Sequence, residues 1–226
     1  MKICLINGSP KLKDSCSTNI IQSITAKLSP KSPEPSQQAS SAIWQGISSP
    51  VDQECVRYET ANGKVDALLD AIDGCEIIVI VFPLYVDGIP SHLLRLLYLA
   101  EERVAQVAPD ARLYVISQNG FYEAHQNRLA IEMMRNFVRR AKLTWGQGIG
   151  VGGGPMVNKA PIGYGPNKNL GLALDTLTEN IVLNKSADDI FVTPNFPRFL
   201  YLQMAHLMWR RLARQNKVTK QSLWNR

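Results

Sequence analysis

The sequence predicts a three-layer α/β/α domain on a five-stranded parallel sheet, with an added C-terminal helix. Three observations carry that expectation. Short apolar runs alternate about five times with segments of helical periodicity, the pattern of a parallel sheet covered by helices on both faces. The run Ile77–Phe82 is aliphatic up to its closing phenylalanine and holds no charge, as a central strand buried on both faces requires. Stretches rich in glycine, proline and hydroxyls follow the strands, at the edge where open sheets of this kind bind ligands.

The elements follow in order. Lys2–Asn7 is a short Ile/Leu-rich run and reads as the first strand. Ile20, Ile21, Ile24 and Leu28 then recur at helical spacing. Residues 29–50 are rich in Ser, Pro and Gln and read as an insertion or loop, with Trp44 and Ile47 as its strong apolar anchors. Glu54–Tyr58 is a short second strand. Lys64–Asp73 is a helix with Val65, Leu68, Leu69 and Ile72 on one face. After the Ile77–Phe82 strand, Pro90 suits the first turn of a helix continuing through Leu93, Leu94, Leu97 and Val104. Leu113–Ser117 is a fourth strand. Ala130, Met133, Met134, Phe137, Val138 and Ala141 mark the next helix. Thr144–Val151 is a fifth strand ending in Gly152, Gly153 and Gly154, which either let a substrate approach closely or form a mobile loop. Asn169–Asn184 is another helix. Neither repeats nor a second core are visible, so residues 1–226 read as one domain, with a helical extension over 194–216.

Composition narrows the class. Of the 226 residues 45% are hydrophobic, enough for a sizeable core and against global disorder. The formal charge is +6, much of it from Arg210, Arg211, Arg214, Lys217, Lys220 and Arg226. That tail is of a kind that touches nucleic acid or acidic lipid; we read it as a solvated helix end, and the basic balance as suited to small anions such as phosphates. Cys4, Cys16, Cys55 and Cys75 lack the paired spacing of zinc or iron–sulfur sites, so no metal is expected. Cys4 and Cys75 read as buried small hydrophobes. With neither a signal peptide pattern nor a bilayer-length apolar stretch, the expectation is a reduced, cytoplasmic protein without a membrane span.

Three loops carry the candidate chemistry. The first, in "INGSPKLKDSCSTNII" (Ile6–Ile21), joins a strand to a helix N-terminus, a natural anion site. Ser9, Ser15, Ser17 and Thr18 offer hydroxyls, Asn19 an amide, and Lys11 or Lys13 a compensating charge. Ser17 alone would suffice as a cap. The crowding points to a terminal phosphate, and the absence of P-loop and three-glycine dinucleotide patterns makes a single phosphate the better guess. The second loop, "FPLYVDGIPSHL" (Phe82–Leu93), presents Tyr85 at its crest on a path set by Pro83 and Gly88, a platform for a flat ring. Asp87 reads as a turn former and His92 as facing solvent or a helix flank. The third, "SQNGFYEAHQN" (Ser117–Asn127), has a tight Asn119-Gly120 turn with exposed N–H groups, then Phe121 and Tyr122. Glu123 suits the first turn of the following helix, and His125 is either a substrate contact or a surface residue.

With those stretches quoted, and "GIGVGGGPM" after the fifth strand, the order and spacing resemble the flavodoxin-like NAD(P)H-dependent FMN reductases over most of Met1–Met156. The resemblance implies a flavodoxin-like fold, FMN as cofactor and NAD(P)H as co-substrate. It implies that Ser9, Lys11, Ser17, Thr18 and Asn19 hold the phosphate. Pro83, Leu84, Tyr85 and Val86 would run along the isoalloxazine ring, and Asn119, Gly120 and Phe121 would flank its polar edge. It calls for no catalytic acid or base, because the flavin carries the hydride chemistry. It implies ping-pong turnover with a small-molecule acceptor (a quinone, nitro or azo compound, or free flavin), in a homodimer. The alternative is a non-catalytic flavodoxin-like electron carrier or FMN-binding protein, although such carriers tend to be acidic and compact. Phe199–Trp209 is polar only at Gln203 and His206. Such a run calls for burial on more than one side. A subunit interface is favoured over packing on its own domain, and a membrane-surface helix ranks last for want of a distinct polar face. His206 reads as a hydrogen-bonded core histidine.

Overall fold

A computed structural model describes residues 1–11, 14–29 and 54–218. The strands are β1 (Lys2–Asn7), β2 (Glu54–Glu59), β3 (Ile77–Pro83), β4 (Arg112–Gln118), β5 (Thr144–Val151) and β6 (Ile190–Val192). The helices are α1 (Cys16–Leu28), α2 (Val65–Ile72), α3 (Ser91–Val107), α4 (Arg128–Arg140), α5 (Gly154–Val157), α6 (Lys168–Val182) and α7 (Arg198–Gln215). All strands pair in parallel, in the order β2-β1-β3-β4-β5-β6. The order reverses beside β1, so the loops after β1 and β3 flank the switch point where such sheets bind ligands.

The sixth strand corrects the expected five. It is an edge strand of three residues, too short to give a periodic signal. Side chains rather than pattern hold its approach: Asp189 accepts from the Gly148 amide at 2.8 Å and pairs with Arg135 at 2.6 Å, fixing the chain along β5. A smaller correction concerns Pro90, which sits at the N-cap of α3 with extended backbone rather than inside the first turn.

Alternation along the strands divides the core in two. Cys4 and Ile6 of β1 face the layer made by α2, α3 and α4. Ile3 and Leu5 face α1 and α6. The β3 run is buried from Ile77 to Phe82, as a central strand should be. Each fully buried aliphatic side chain contributes about 1.5–3 kcal/mol, so both layers are well anchored. Cys4 and Cys75 are buried in the first of these cores, as expected. Burial pushes the Cys4 thiol up to about 12 and that of Cys75 to about 11, which leaves both poor nucleophiles.

The C-terminal helix is largely exposed. Of its eighteen residues only Tyr201 is buried. Phe199, Leu207 and Trp209 are each about two-thirds exposed, and His206 is exposed rather than a core residue. The helix's apolarity favoured a subunit interface over packing on its own domain, and among the described residues its polar contacts with the domain come from Arg198 and Tyr201, near its first turn. Lys13, the 30–50 part of the Ser/Pro-rich stretch with Trp44 and Ile47, and Lys220 and Arg226 lie outside the described residues.

Candidate functional site

The β1–α1 loop is organised by side chains that bond one another. Ser15, not Ser17, is the N-cap of α1: its Oγ accepts the Thr18 amide at 3.0 Å and lies 2.8 Å from the Thr18 hydroxyl. Asn7, buried at the end of β1, donates to Thr18 Oγ1 at 3.2 Å and accepts the Ser9 amide at 3.1 Å. Ser9 in turn accepts the Lys11 amide at 3.2 Å. Asn19 turns sideways, donating to Asn158 Oδ1 at 2.8 Å, while Asn158 donates to the Asp14 carbonyl. The loop thus links Ser9, Lys11 and Thr18 through Asn7 and Ser15 but ties Asn19 to the chain just past α5.

Ser17 stands apart. It lies on the buried side of the first helical turn, in line with Ile20, Ile21, Ile24 and Leu28. Its Oγ is the one buried side-chain polar atom among the described residues without a hydrogen-bond partner. An unpaired buried hydroxyl costs about 1–3 kcal/mol. It sits beside first-turn amides, which no helix satisfies internally, at the positive end of the helix dipole. That combination fits an anion which would accept the hydroxyl proton.

The loop after β3 forms a two-residue reversal. Tyr85 and Gly88 exchange backbone hydrogen bonds at 3.0 Å in both directions. The residues between them, Val86 and Asp87, carry the positive φ values (48° and 55°). The unusual path is therefore set by these two rather than by Pro83 and Gly88. A β-branched residue in the left-handed region is strained, and such strain gathers at ligand loops. Pro83 and Leu84 are half-buried, Tyr85 is 48% exposed, and Val86 is fully exposed.

His92 is tied to the first loop rather than free in solvent. Its Nε2 lies 3.1 Å from the Thr60 hydroxyl, which donates to the Asn7 carbonyl at 3.0 Å. Partial burial lowers the imidazole pKa, opposed by a bond to the Gly8 backbone. Thr60 and Asn7 are site-forming residues that sequence reasoning missed. A polar residue closing an aliphatic strand was the available signal for Asn7; Thr60 had none.

The loop after β4 is closed on itself. Asn119 is buried; its Oδ1 accepts the Phe121 amide at 2.8 Å and its Nδ2 donates to the Glu123 carbonyl at 3.2 Å. The Phe121 amide, expected to be free, is thereby occupied. The Gly120 carbonyl accepts the Tyr201 hydroxyl at 2.6 Å, and Phe121 is 57% exposed. Glu123 precedes a short 3-10 turn, Ala124–Asn127, and pairs with Arg198 at 2.7 Å; the guanidinium holds its carboxyl below the usual range. His125 is exposed on that turn. The glycine run is buried and closely packed. A Cβ on Gly154 would lie 2.5 Å from Gln118 Oε1 and 2.7 Å from the Asn119 carbonyl oxygen, so the glycine lets the loops after β4 and β5 pack together.

The chain matches no protein-family model and no curated protein. Solved structures do match. An NADH:FMN oxidoreductase in its apo form superposes with a TM-score of 0.53 at 10% identity, over 82% of this chain and 90% of that one. An azoreductase from Bacillus anthracis str. Sterne superposes with a TM-score of 0.50 at 10% identity, over 79% and 97%. Together with the strand order, these likenesses decide the architecture. The chain has the flavodoxin-like fold. Its sheet carries the 2-1-3-4-5 order of that fold, with β6 added beyond β5. The candidate loops stand after β1, β3 and β4.

Proposed function

We propose that the chain is an FMN-dependent NAD(P)H oxidoreductase. The unpartnered Ser17 hydroxyl, buried in the first turn of α1, carries the reading. A ribityl phosphate seated there would accept a hydrogen bond from Ser17 and bonds from the first-turn amides, while exposed Lys11 supplies countercharge. Ser9 and Thr18, already bonded within the loop, hold its shape. Asn19 acts through Asn158 and fixes α1 against α5.

Pro83, Leu84, Tyr85 and Val86 would line the ring, with Tyr85 offering an aromatic face. Asn119 shapes the loop that presents Gly120 and Phe121 to the ring's polar edge. Bound flavin would supply the redox chemistry, taking a hydride from NAD(P)H and passing electrons to a small acceptor such as a quinone, nitro or azo compound, or free flavin. The protein's part is to bind and orient. The similarity of architecture to an NADH:FMN oxidoreductase and an azoreductase supports this reading.

The test is steady-state NADPH oxidation with added FMN while a quinone acceptor is varied. Parallel double-reciprocal lines are the expected result, since donor and acceptor would use one site in turn. Intersecting lines, or no oxidation with any of the acceptor classes, would overturn it.

A further inference from the structure

The proposed chemistry makes no use of α7. Among the described residues its attachment is confined to the start. Arg198 pairs with Glu123, Tyr201 donates to the Gly120 carbonyl, and the Tyr201 ring meets Tyr122 edge-on at 5.6 Å. Beyond Tyr201 the helix continues for about 20 Å with Leu202, Met204, Leu207, Met208, Trp209 and Leu212 all exposed. Large apolar side chains left exposed together on one helix mark an interaction surface.

Two further features say what covers it. The helix extends to Gln215, beyond the apolar run, and its added turns supply the polar face that the run lacks. Gln203, His206, Arg210 and Arg214 recur at steps of three and four and form one stripe, bordered by Phe199 and Leu207. Beyond Tyr201, which packs on the domain, Ala205, Met208 and Leu212 form the opposite stripe, flanked by Leu202 and Trp209. Charge is also one-sided: after Asp189 the sequence contains no Asp or Glu, while Arg210, Arg211, Arg214 and Lys217 crowd the far end of the helix and the residues just beyond it. A second copy of the chain is a poor match. The whole chain carries +6, so two copies repel overall where an anionic surface attracts.

We propose that α7 is an interfacial helix that docks the protein on an anionic lipid bilayer. Its apolar stripe would sink to the acyl boundary, with Trp209 at headgroup level and the arginines on lipid phosphates. No helix among the described residues is long and apolar enough to cross a membrane, so the docking is peripheral. Because α7 is rooted on the loop after β4, docking would hold the candidate site's edge of the sheet near the bilayer.

The test is vesicle flotation of the full chain with phosphatidylcholine alone and with added phosphatidylglycerol. Flotation only with the anionic vesicles, reversed by raised salt, is expected. Replacing Arg210, Arg211 and Arg214 together with alanine should weaken binding about a hundredfold. Met208→Asp with Trp209→Asp should abolish it, with circular dichroism unchanged because both side chains are exposed. Absence of flotation, or flotation indifferent to charge and to these variants, would overturn the proposal. So would a concentration-dependent dimer, in sedimentation without lipid, that the aspartate variant dissociates.

Discussion

Replacing Ser17 with alanine should change two properties in opposite directions. In the free protein the Ser17 hydroxyl is buried without a partner. Removing it relieves a desolvation cost of about 1–3 kcal/mol, and alanine adds a few tenths as a better helix former. Taking the low end, stability should rise by about 1 kcal/mol, or about 3 °C in Tm for a domain of this size. FMN binding should weaken, because a hydrogen bond to a charged phosphate contributes about 1.5–3 kcal/mol, or roughly 10- to 150-fold in Kd. Riboflavin, which lacks the phosphate, should bind unchanged. Ser15→Ala is the control: its hydroxyl caps α1 at 3.0 Å, and its loss should lower stability by about 1 kcal/mol. Thermal melts of the free proteins and fluorescence titrations with both flavins read all of this. A Ser17→Ala protein that melts lower, as Ser15→Ala should, would refute the reasoning. So would equal losses for FMN and riboflavin.

Other predictions concern the neighbouring loops. Tyr85→Ala should weaken flavin binding by about 0.5–1.5 kcal/mol with an unchanged melt, because the ring is half exposed and the turn is held by backbone bonds; unchanged affinity and turnover together would remove the second loop from the site. Gly154→Ala should destabilise by about 1–3 kcal/mol, since its Cβ would meet the Asn119 carbonyl at 2.7 Å; an unaltered denaturant midpoint would show that the two loops can separate. His92 has a lowered folded pKa, so its contribution to stability is complete above the ordinary value near 6.5 and is lost as pH falls through the folded one. Urea midpoints should therefore fall below neutrality in the wild type and less steeply in His92→Gln; equal slopes would contradict the assignment.

Much of this fold could be read because its strands are local and strongly patterned. Ile77–Phe82 announced a central strand, and the helices after it repeat their apolar residues over several turns. β6 could not be read: three residues give no period, and its place depends on Asp189 bonding across to β5. The loops were legible as loops but not in their internal bonding. Crowded hydroxyls marked the β1–α1 turn, yet only coordinates show Ser15 capping, Ser17 unpaired and Asn19 turned to Asn158. The partnership of His92, Thr60 and Asn7 joins residues far apart in sequence, which no local pattern encodes. For α7, composition reported apolarity correctly but could not say against what. Its stripes became visible only when the helix was seen to run on through Arg210 and Arg214.

The central claim is that this chain binds FMN and accepts electrons from NAD(P)H through it. The most direct measurement is the visible absorbance of the purified protein with FMN added and the excess removed, followed by NADPH without oxygen. The account predicts retained flavin bands near a stoichiometric level that bleach on adding NADPH. Protein that emerges without flavin, or bound flavin that NADPH and NADH both leave oxidised, would contradict it.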